Sequence, residues 1–373
     1  MDDEANVSLA DKLIRRQREK RLKKYLQAVN KTAAWNRGSE KHQPQYTSCR
    51  GHMMKLYLYL TFDCPFHCPY CYANGGRRKT KEMSARRFAE LTAEAVRLGF
   101  EAVVLVGGEP LVYSQFAELL EAYRSLETGD TRLVLRSSFA LPIPDDQLEQ
   151  LCDIFDTITV SIDGDEKLHD SQRGQGTYAR TLENVKRARA LRTCQIGINS
   201  VMSLEEYHGQ PGRHVKALCR ELGIARLTIQ SHIPLGRSAS HVETDYIWRK
   251  DKEKDSFPLP EEPRFSCGIG HSLYVEPDGT VYPCYTWCSG TARLGNLSQA
   301  SLTSLIDSGV LLPYINYGVE QNEKCRDCEV RYFCGGQCKI WSADKTNLAS
   351  GDFDCSAQKE QLLEKARLMK LLP

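Results

Sequence analysis

The sequence predicts an α/β fold with a parallel sheet, followed by a small cysteine-stapled domain. Three observations carry that reading. Short aliphatic and β-branched runs alternate with helical patterns over the first two thirds of the chain, the order that right-handed crossovers fold into a parallel sheet. Capping residues and glycines fall where those helical patterns begin and stop. Eight of the fifteen cysteines crowd into the last third, where strand runs are short and a small domain needs staples.

Taken in order, residues 1–52 form a basic helical extension. Leu9 to Ala28 reads as a helix with Leu13, Leu22 and Leu26 among Arg15, Arg16, Arg18, Lys20, Arg21, Lys23 and Lys24. It suits either an acidic partner or solvent on its basic face. Residues 53–235 hold the strands Leu56–Phe62, Ala102–Val106, Arg132–Arg136, Thr157–Ile162, Gln195–Val201 and Arg226–Ile229. Helical patterns separate them at Ser84–Leu98, Ser114–Leu126, Asp145–Leu151, Thr177–Leu191 and Gly212–Leu222, with Ser84 and Asp145 as N-caps and Gly99 and Gly223 as stops. Six such units make a partial (β/α)6 barrel, TIM-like but open. Ligand sites in such sheets lie at the carboxyl ends of the strands. Residues 236–265, polar and carrying Pro258, Pro260 and Pro263, read as a linker, and 266–373 as the cysteine-rich domain.

A charged fraction of 26% and a formal charge of +2 exclude the broad basic surface that binds nucleic acid through phosphates. The N-terminus has no apolar signal core, and no run of apolar residues is long enough to span a membrane. The expectation is a cytoplasmic protein without nucleic-acid or membrane partners. In a reducing compartment fifteen cysteines, an odd number, point to metal before disulfides. Cys49, Cys152, Cys194 and Cys219 read as buried packing residues.

Cys64-Pro-Phe-His-Cys68-Pro-Tyr-Cys71 follows the first strand and so occupies a loop at its carboxyl end. Three thiolates at this spacing wrap one face of a cubane and leave one iron without a protein ligand, whereas structural clusters usually take four cysteines. Open coordination marks a reactive metal, as it does for catalytic zinc. A zinc site completed by His67 or a distant cysteine is the competing reading. The C-x3-C-x2-C pattern, with an aromatic residue before its last cysteine, resembles the signature of the radical S-adenosylmethionine (SAM) superfamily. The resemblance implies a [4Fe-4S] cluster on Cys64, Cys68 and Cys71 whose open iron binds SAM. One electron then cleaves SAM to methionine and a 5′-deoxyadenosyl radical, which abstracts hydrogen from the substrate.

Gly107-Gly108-Glu109-Pro110, after the second strand, is similar to the family's GGEP motif and implies contact with the SAM amino group. Glycines let backbone approach a ligand, and a carboxylate pairs with an ammonium. Ser161 and Asp163, at the end of the fourth strand, match residues near the SAM ribose and methionine. Arg173, read in a loop, resembles the clamp on the SAM carboxylate, and Asn199 implies a nucleoside contact. One departure stands out: relatives often carry Thr-Asn-Gly after the third strand, and this chain has Ser137-Ser138-Phe139.

The array Cys267-x11-Gly279-x4-Cys284, Cys325-x2-Cys328-x5-Cys334-x3-Cys338 and Cys355 resembles the SPASM iron–sulfur domain of enzymes that modify peptides and proteins. Two zinc ribbons are the alternative. The resemblance implies one auxiliary [4Fe-4S] cluster on Cys325, Cys328, Cys334 and Cys355 and a second on Cys267, Cys284 and Cys338. Some relatives have a further cysteine where Leu273 stands here, so that second cluster is either open or closed by Cys288. VEPDGTVYPC reads as a hairpin on an Asp-Gly turn.

Together the motifs imply a maturase of a ribosomally synthesised peptide that forms a crosslink or edits the backbone. An anaerobic sulfatase (formylglycine) maturase and a redox-cofactor precursor maturase are the alternatives. Against the former, Tyr285 stands where those enzymes carry an aspartate base. A reading of another class is a non-enzymatic electron-transfer or zinc-structural protein. The implied partners are the precursor peptide, an electron donor such as ferredoxin or flavodoxin, and a separate leader-peptide recognition protein, because residues 1–52 are too few for the recognition domain that peptide maturases often carry.

Overall fold

The computed structural model describes residues 45–76, 81–239, 264–288, 290–339, 347–351, 354–356, 359–360 and 362–363. The helix read over residues 9–28 and the linker beyond residue 239 lie outside them. Two compact units divide the described residues. One takes the described residues within 46–239 and 268–315, the other those within 264–267 and 316–363 together with residue 45.

The first unit is built on one sheet. Its strands are β1 Lys55–Tyr59, β2 Ala102–Val106, β3 Arg132–Ser137, β4 Thr157–Ser161, β5 Gln195–Val201, β6 Arg226–Gln230, β7 Ser272–Val275, β8 Thr280–Tyr282 and β9 Gly295–Asn296, in the order β6-β5-β4-β3-β2-β1-β7-β8-β9. β1 to β6 pair in parallel, the arrangement expected of strand–helix repeats. β7 adds in parallel to the free side of β1, pairing Lys55 with Ser272 and Leu58 with Val275. β8 then returns antiparallel around the turn at Asp278-Gly279. The hairpin expected at VEPDGTVYPC therefore continues the barrel sheet, and the contacts divide the stretch 266–373 after Ile315.

Strand alternation sorts the two faces. Leu56, Leu58, Val103, Leu105, Leu133, Leu135, Ile158, Ile196 and Ile198 join the main core with helix residues such as Phe88, Leu91, Leu119, Leu151, Val185 and Val215. Each buried side chain of this size contributes about 1.5–3 kcal/mol. The opposite face gathers Tyr57, Tyr59, Ala102, Val104, Val106, Val134 and Tyr274. Cys49, Cys152 and Cys219 are buried in the main core, and Cys194 packs against it half-buried.

The helices begin where short-range chemistry starts them. Helix Ala85–Arg97 opens on Ser84, whose hydroxyl accepts from the Arg87 amide at 3.2 Å, and stops ahead of Gly99 at φ +76°. Asp145 differs from expectation: it is the first residue inside helix Asp145–Ile154, with Pro144 before it and no side-chain cap. Its charge still favours the helix N-terminus. Glu166–Arg173 is a helix that the sequence reading left as loop, capped by Asp165, which accepts from the Leu168 amide at 3.0 Å. Arg173 is thus its last residue.

Among its described residues, the second unit carries the helix Arg331–Cys334 and the single turn Val319–Gln321. Asn322, fully buried, organises it: Oδ1 accepts from the amides of Lys324 and Cys325, both at 3.1 Å, and Nδ2 donates to the Ser350 carbonyl at 2.7 Å.

Candidate active site

Cys64, Cys68 and Cys71 lie on the loop after β1 and line a cavity of about 310 Å3. The loop is wound by its own backbone: the Cys71 amide donates to the Cys68 carbonyl at 3.2 Å and the Asn74 amide to the Cys71 carbonyl at 3.1 Å. The Gly75 amide donates to Cys71 Sγ at 3.4 Å. Burial first, then Glu109 and the two neighbouring thiols, pushes the Cys64 thiol up to about 12. Three sulfurs in one another's field, with Cys68 buried and the other two half-buried, suit a soft metal group that displaces their protons.

The turn after β2 packs on this loop. A Cβ on Gly108 would stand 2.3 Å from the Asp63 carbonyl oxygen, and one on Gly107 would stand 2.8 Å from that of Thr61. These glycines therefore allow backbone to touch backbone. Both line the cavity, as do Ser161, Arg173 and Asn199.

Glu109 does not line it. Its carboxylate, 1% exposed, accepts from Ser137 Oγ at 2.7 Å, the Ser138 amide at 2.9 Å and Ser138 Oγ at 2.6 Å. These bonds tie the β2 turn to the end of β3. The departure at Ser137-Ser138-Phe139 is explained by the same bonds. Phe139 sits at φ +58° where relatives carry glycine, and it is fully buried.

Asp163 also stands behind the cavity wall. It is fully buried; Oδ2 accepts from Arg173 Nε at 2.5 Å and from the Tyr70 hydroxyl, and Oδ1 accepts from the Val201 amide at 2.7 Å. Through Oδ2 it orients Arg173. The Asp163 amide donates to His169 Nδ1 at 3.2 Å. Burial, with Arg173 adding to it, lowers that imidazole to about 4.

Arg237 is a site residue that the sequence reading missed. The turn Gly236–Ser238 lies on the cysteine loop: Arg237 Nε donates to the Cys68 carbonyl at 2.8 Å, Nη1 donates to the Gly75 carbonyl, and the Arg237 amide donates to the Cys71 carbonyl at 3.1 Å. At Gly236, φ +59°, a Cβ would stand 2.4 Å from the carbonyl oxygens of Cys71 and Tyr72. A second missed feature is aromatic. Tyr57, Tyr72, Tyr274 and Tyr285 line the cavity, and the Tyr72 and Tyr59 hydroxyls are 2.6 Å apart.

Cys284 and Cys288 follow β8 in the sheet unit. Cys288 Sγ donates to the Cys284 carbonyl at 3.2 Å, one turn back. Cys267 and Cys338 belong to the other unit, which also brings together Cys325, Cys328, Cys334 and Cys355. Each of the last three raises the Cys325 thiol beyond the effect of burial, which carries it to about 12. Lys339, 2% exposed, opposes that rise, and its ammonium lies 4.8 Å from the Tyr317 ring centre. Four thiols beside one buried ammonium fit an anionic cluster held by four cysteines.

Comparison with known proteins agrees with this geometry. The sporulation killing factor maturation protein SkfB of Bacillus subtilis is 26% identical over 289 residues, 70% of this chain and 68% of the relative. The fold is that of Streptococcus suis SuiB bound to precursor peptide SuiA, with a TM-score of 0.59 and 18% identity over 91% of this chain and 80% of that one. It is also that of anSMEcpe with bound AdoMet and Cp18Cys peptide, with a TM-score of 0.60 and 17% identity over 86% and 97%. Among the described residues no helix is long and apolar enough to cross a membrane. The Radical SAM superfamily model matches residues 58–214 and the iron–sulfur cluster-binding SPASM model residues 267–329, so this chain belongs to the radical SAM enzymes that carry a SPASM domain, with iron–sulfur clusters and SAM as cofactors.

Proposed function

We propose that the chain is a maturase that modifies a ribosomally synthesised peptide after hydrogen abstraction. The observation that carries this reading is the shared cavity of Cys64, Cys68 and Cys71 with Gly107, Gly108, Ser161, Arg173 and Asn199, in a fold whose relatives include SkfB and peptide-bound SuiB. In this reading Cys64, Cys68 and Cys71 hold a [4Fe-4S] cluster that, when bound, supplies the electron for SAM cleavage. Arg173, aimed by Asp163 and Tyr70, takes the SAM carboxylate; the Gly107-Gly108-Glu109 turn takes its amino group; Ser161 and Asp163 lie near its ribose and methionine, and Asn199 meets its nucleoside. Cys325, Cys328, Cys334 and Cys355 hold one auxiliary cluster, and Cys267, Cys284 and Cys338 a second. An external electron donor and a leader-peptide recognition protein complete the system.

Tyr285 lines the cavity at the position where sulfatase maturases carry an aspartate base, which favours the peptide maturase over formylglycine chemistry. Anaerobic reconstitution tests the reading. The expected outcome is about twelve irons per chain, four for each of three cubanes, with 5′-deoxyadenosine released from SAM on reduction. Zinc without that product defeats it.

A further inference from the structure

The inner face of the barrel sheet carries charge that cofactor binding does not use. Residues paired in register across a parallel sheet share a face. One row runs Lys55, Ala102, Arg132 through β1, β2 and β3. Another runs Arg136, Thr159, Gly197, Arg226 through β3 to β6. Both lie on the face of Tyr57, Val104, Val134 and Tyr274. On that face of β1 to β7 the sequence places no Asp or Glu.

One of these cations reaches the cavity, and the others continue the charge along the same face. Arg136 lines the cavity, with its guanidinium carbon 5.5 Å from the Tyr57 ring centre. A Cβ on Gly197 would meet Arg226 Cδ at 3.4 Å, so the bare backbone there gives the arginine room to lie along the sheet. Lys55 sits close enough to Arg136, Arg226 and Arg132 that all three, after burial, lower its pKa; Glu101, just before β2, opposes them. Arg132, Arg136 and Arg226 are exposed. Glu276 lies beyond the end of β7. Like charges gathered this way repel, and an anionic ligand relieves the repulsion.

We infer that this face binds acidic side chains of the substrate peptide, a specificity that rests on the peptide reading above. Arg173 and Arg237 already spend donors on Asp163 and on the cysteine loop, whereas Arg136 stands beside Tyr57, Tyr274 and Tyr285, aromatic surfaces that suit a packed peptide. Lys55 and Arg132 begin their strands, at the end away from the cysteine loop. The charge therefore extends from the cavity along the sheet, and it matches a segment with more than one carboxylate, not a single end group.

The test uses the reconstituted, SAM-loaded full chain and two fluorescein-labelled, C-terminally amidated peptides, hexaglutamate and hexaglutamine, read by anisotropy. Hexaglutamate is expected to bind at least about tenfold more tightly and to weaken with added salt. The double variant Arg136→Gln/Arg226→Gln, with iron content unchanged, is expected to lose about tenfold of that affinity. Thr159→Glu, which sets an acid between the two arginines, gives the same loss should the double variant fold poorly. Equal binding of both peptides, or hexaglutamate binding that survives both variants, overturns the inference. So does hexaglutamine with a free C-terminus binding as tightly as hexaglutamate, because the site would then read the chain end. Loss of clusters or of SAM cleavage in the unmodified chain would instead sink the cofactor reading, which iron content and 5′-deoxyadenosine release read separately from anisotropy.

Discussion

Arg237 concentrates several tasks in one side chain. Its guanidinium satisfies the carbonyls of Cys68, within the triad, and of Gly75, beyond it, and replacing it leaves those acceptors short of donors at about 1–3 kcal/mol each. That cost falls on the loop and leaves the rest of the fold alone. Arg237→Gln is expected to lower iron retained after desalting from about twelve towards about eight per chain, and Arg237→Lys to recover part of it; a colorimetric iron assay checks both. His169 gives a second residue-level outcome. Its imidazole must stay unprotonated to accept from the Asp163 amide, and its folded pKa of about 4 lies below the ordinary 6.5. The unfolded chain therefore binds the proton first, so stability falls as pH drops from about 6.5 through about 4, by on the order of 3 kcal/mol in full. Anaerobic denaturant titrations should show that slope, and His169→Asn should flatten it.

At the scale of elements, the turn after β2 depends on two positions without side chains. Gly108→Ala pushes a methyl against the Asp63 carbonyl, so the turn must move away from the cysteine loop. SAM binding is expected to weaken by about tenfold or more, the scale of a displaced binding element. Gly76→Ala, in the same neighbourhood but with open space around it, should leave SAM affinity unchanged; equilibrium dialysis of labelled SAM measures both. The six strands were legible in the sequence because their aliphatic runs are bounded by turns; β3, β4 and β6 differ from expectation by a residue at one end, and β1 runs Lys55–Tyr59 where Leu56–Phe62 was expected. The helix Glu166–Arg173 was not, because its residues are almost all polar and only His169 and Asp170 are buried, so no apolar stripe marks it. Within the site, cysteine spacing and the paired glycines were visible. The inward turn of Glu109 and Asp163 was not, since a carboxylate's partners across a fold leave no local pattern. Arg237 escaped for a related reason: its partners are mostly backbone carbonyls.

Across the whole molecule, cysteines do for the second unit what the core does for the first. Among the described residues the sheet unit buries dozens of apolar side chains, whereas the other shows small clusters around Val319, Val330, Tyr332 and Phe333. Under the proposed ligand set, metal ligation there supplies folding free energy directly. Cys328→Ser is expected to remove about four irons per chain and to open residues 316–363 to protease, while 5′-deoxyadenosine release at the Cys64–Cys71 loop continues. Limited proteolysis and product assay on one preparation separate the two effects.

The β1–β7 seam has a consequence of its own. Because β7 lies against β1 residue for residue, the hairpin works as a vernier. One amino acid inserted into β7 would slide the scale by a notch, turning Tyr274 away and presenting an aliphatic neighbour to the hollow. A hairpin that shares its ruler with the cysteine loop's own strand thus sets the aromatic lining of the chamber, and its length is under the same constraint as the spacing of the thiols.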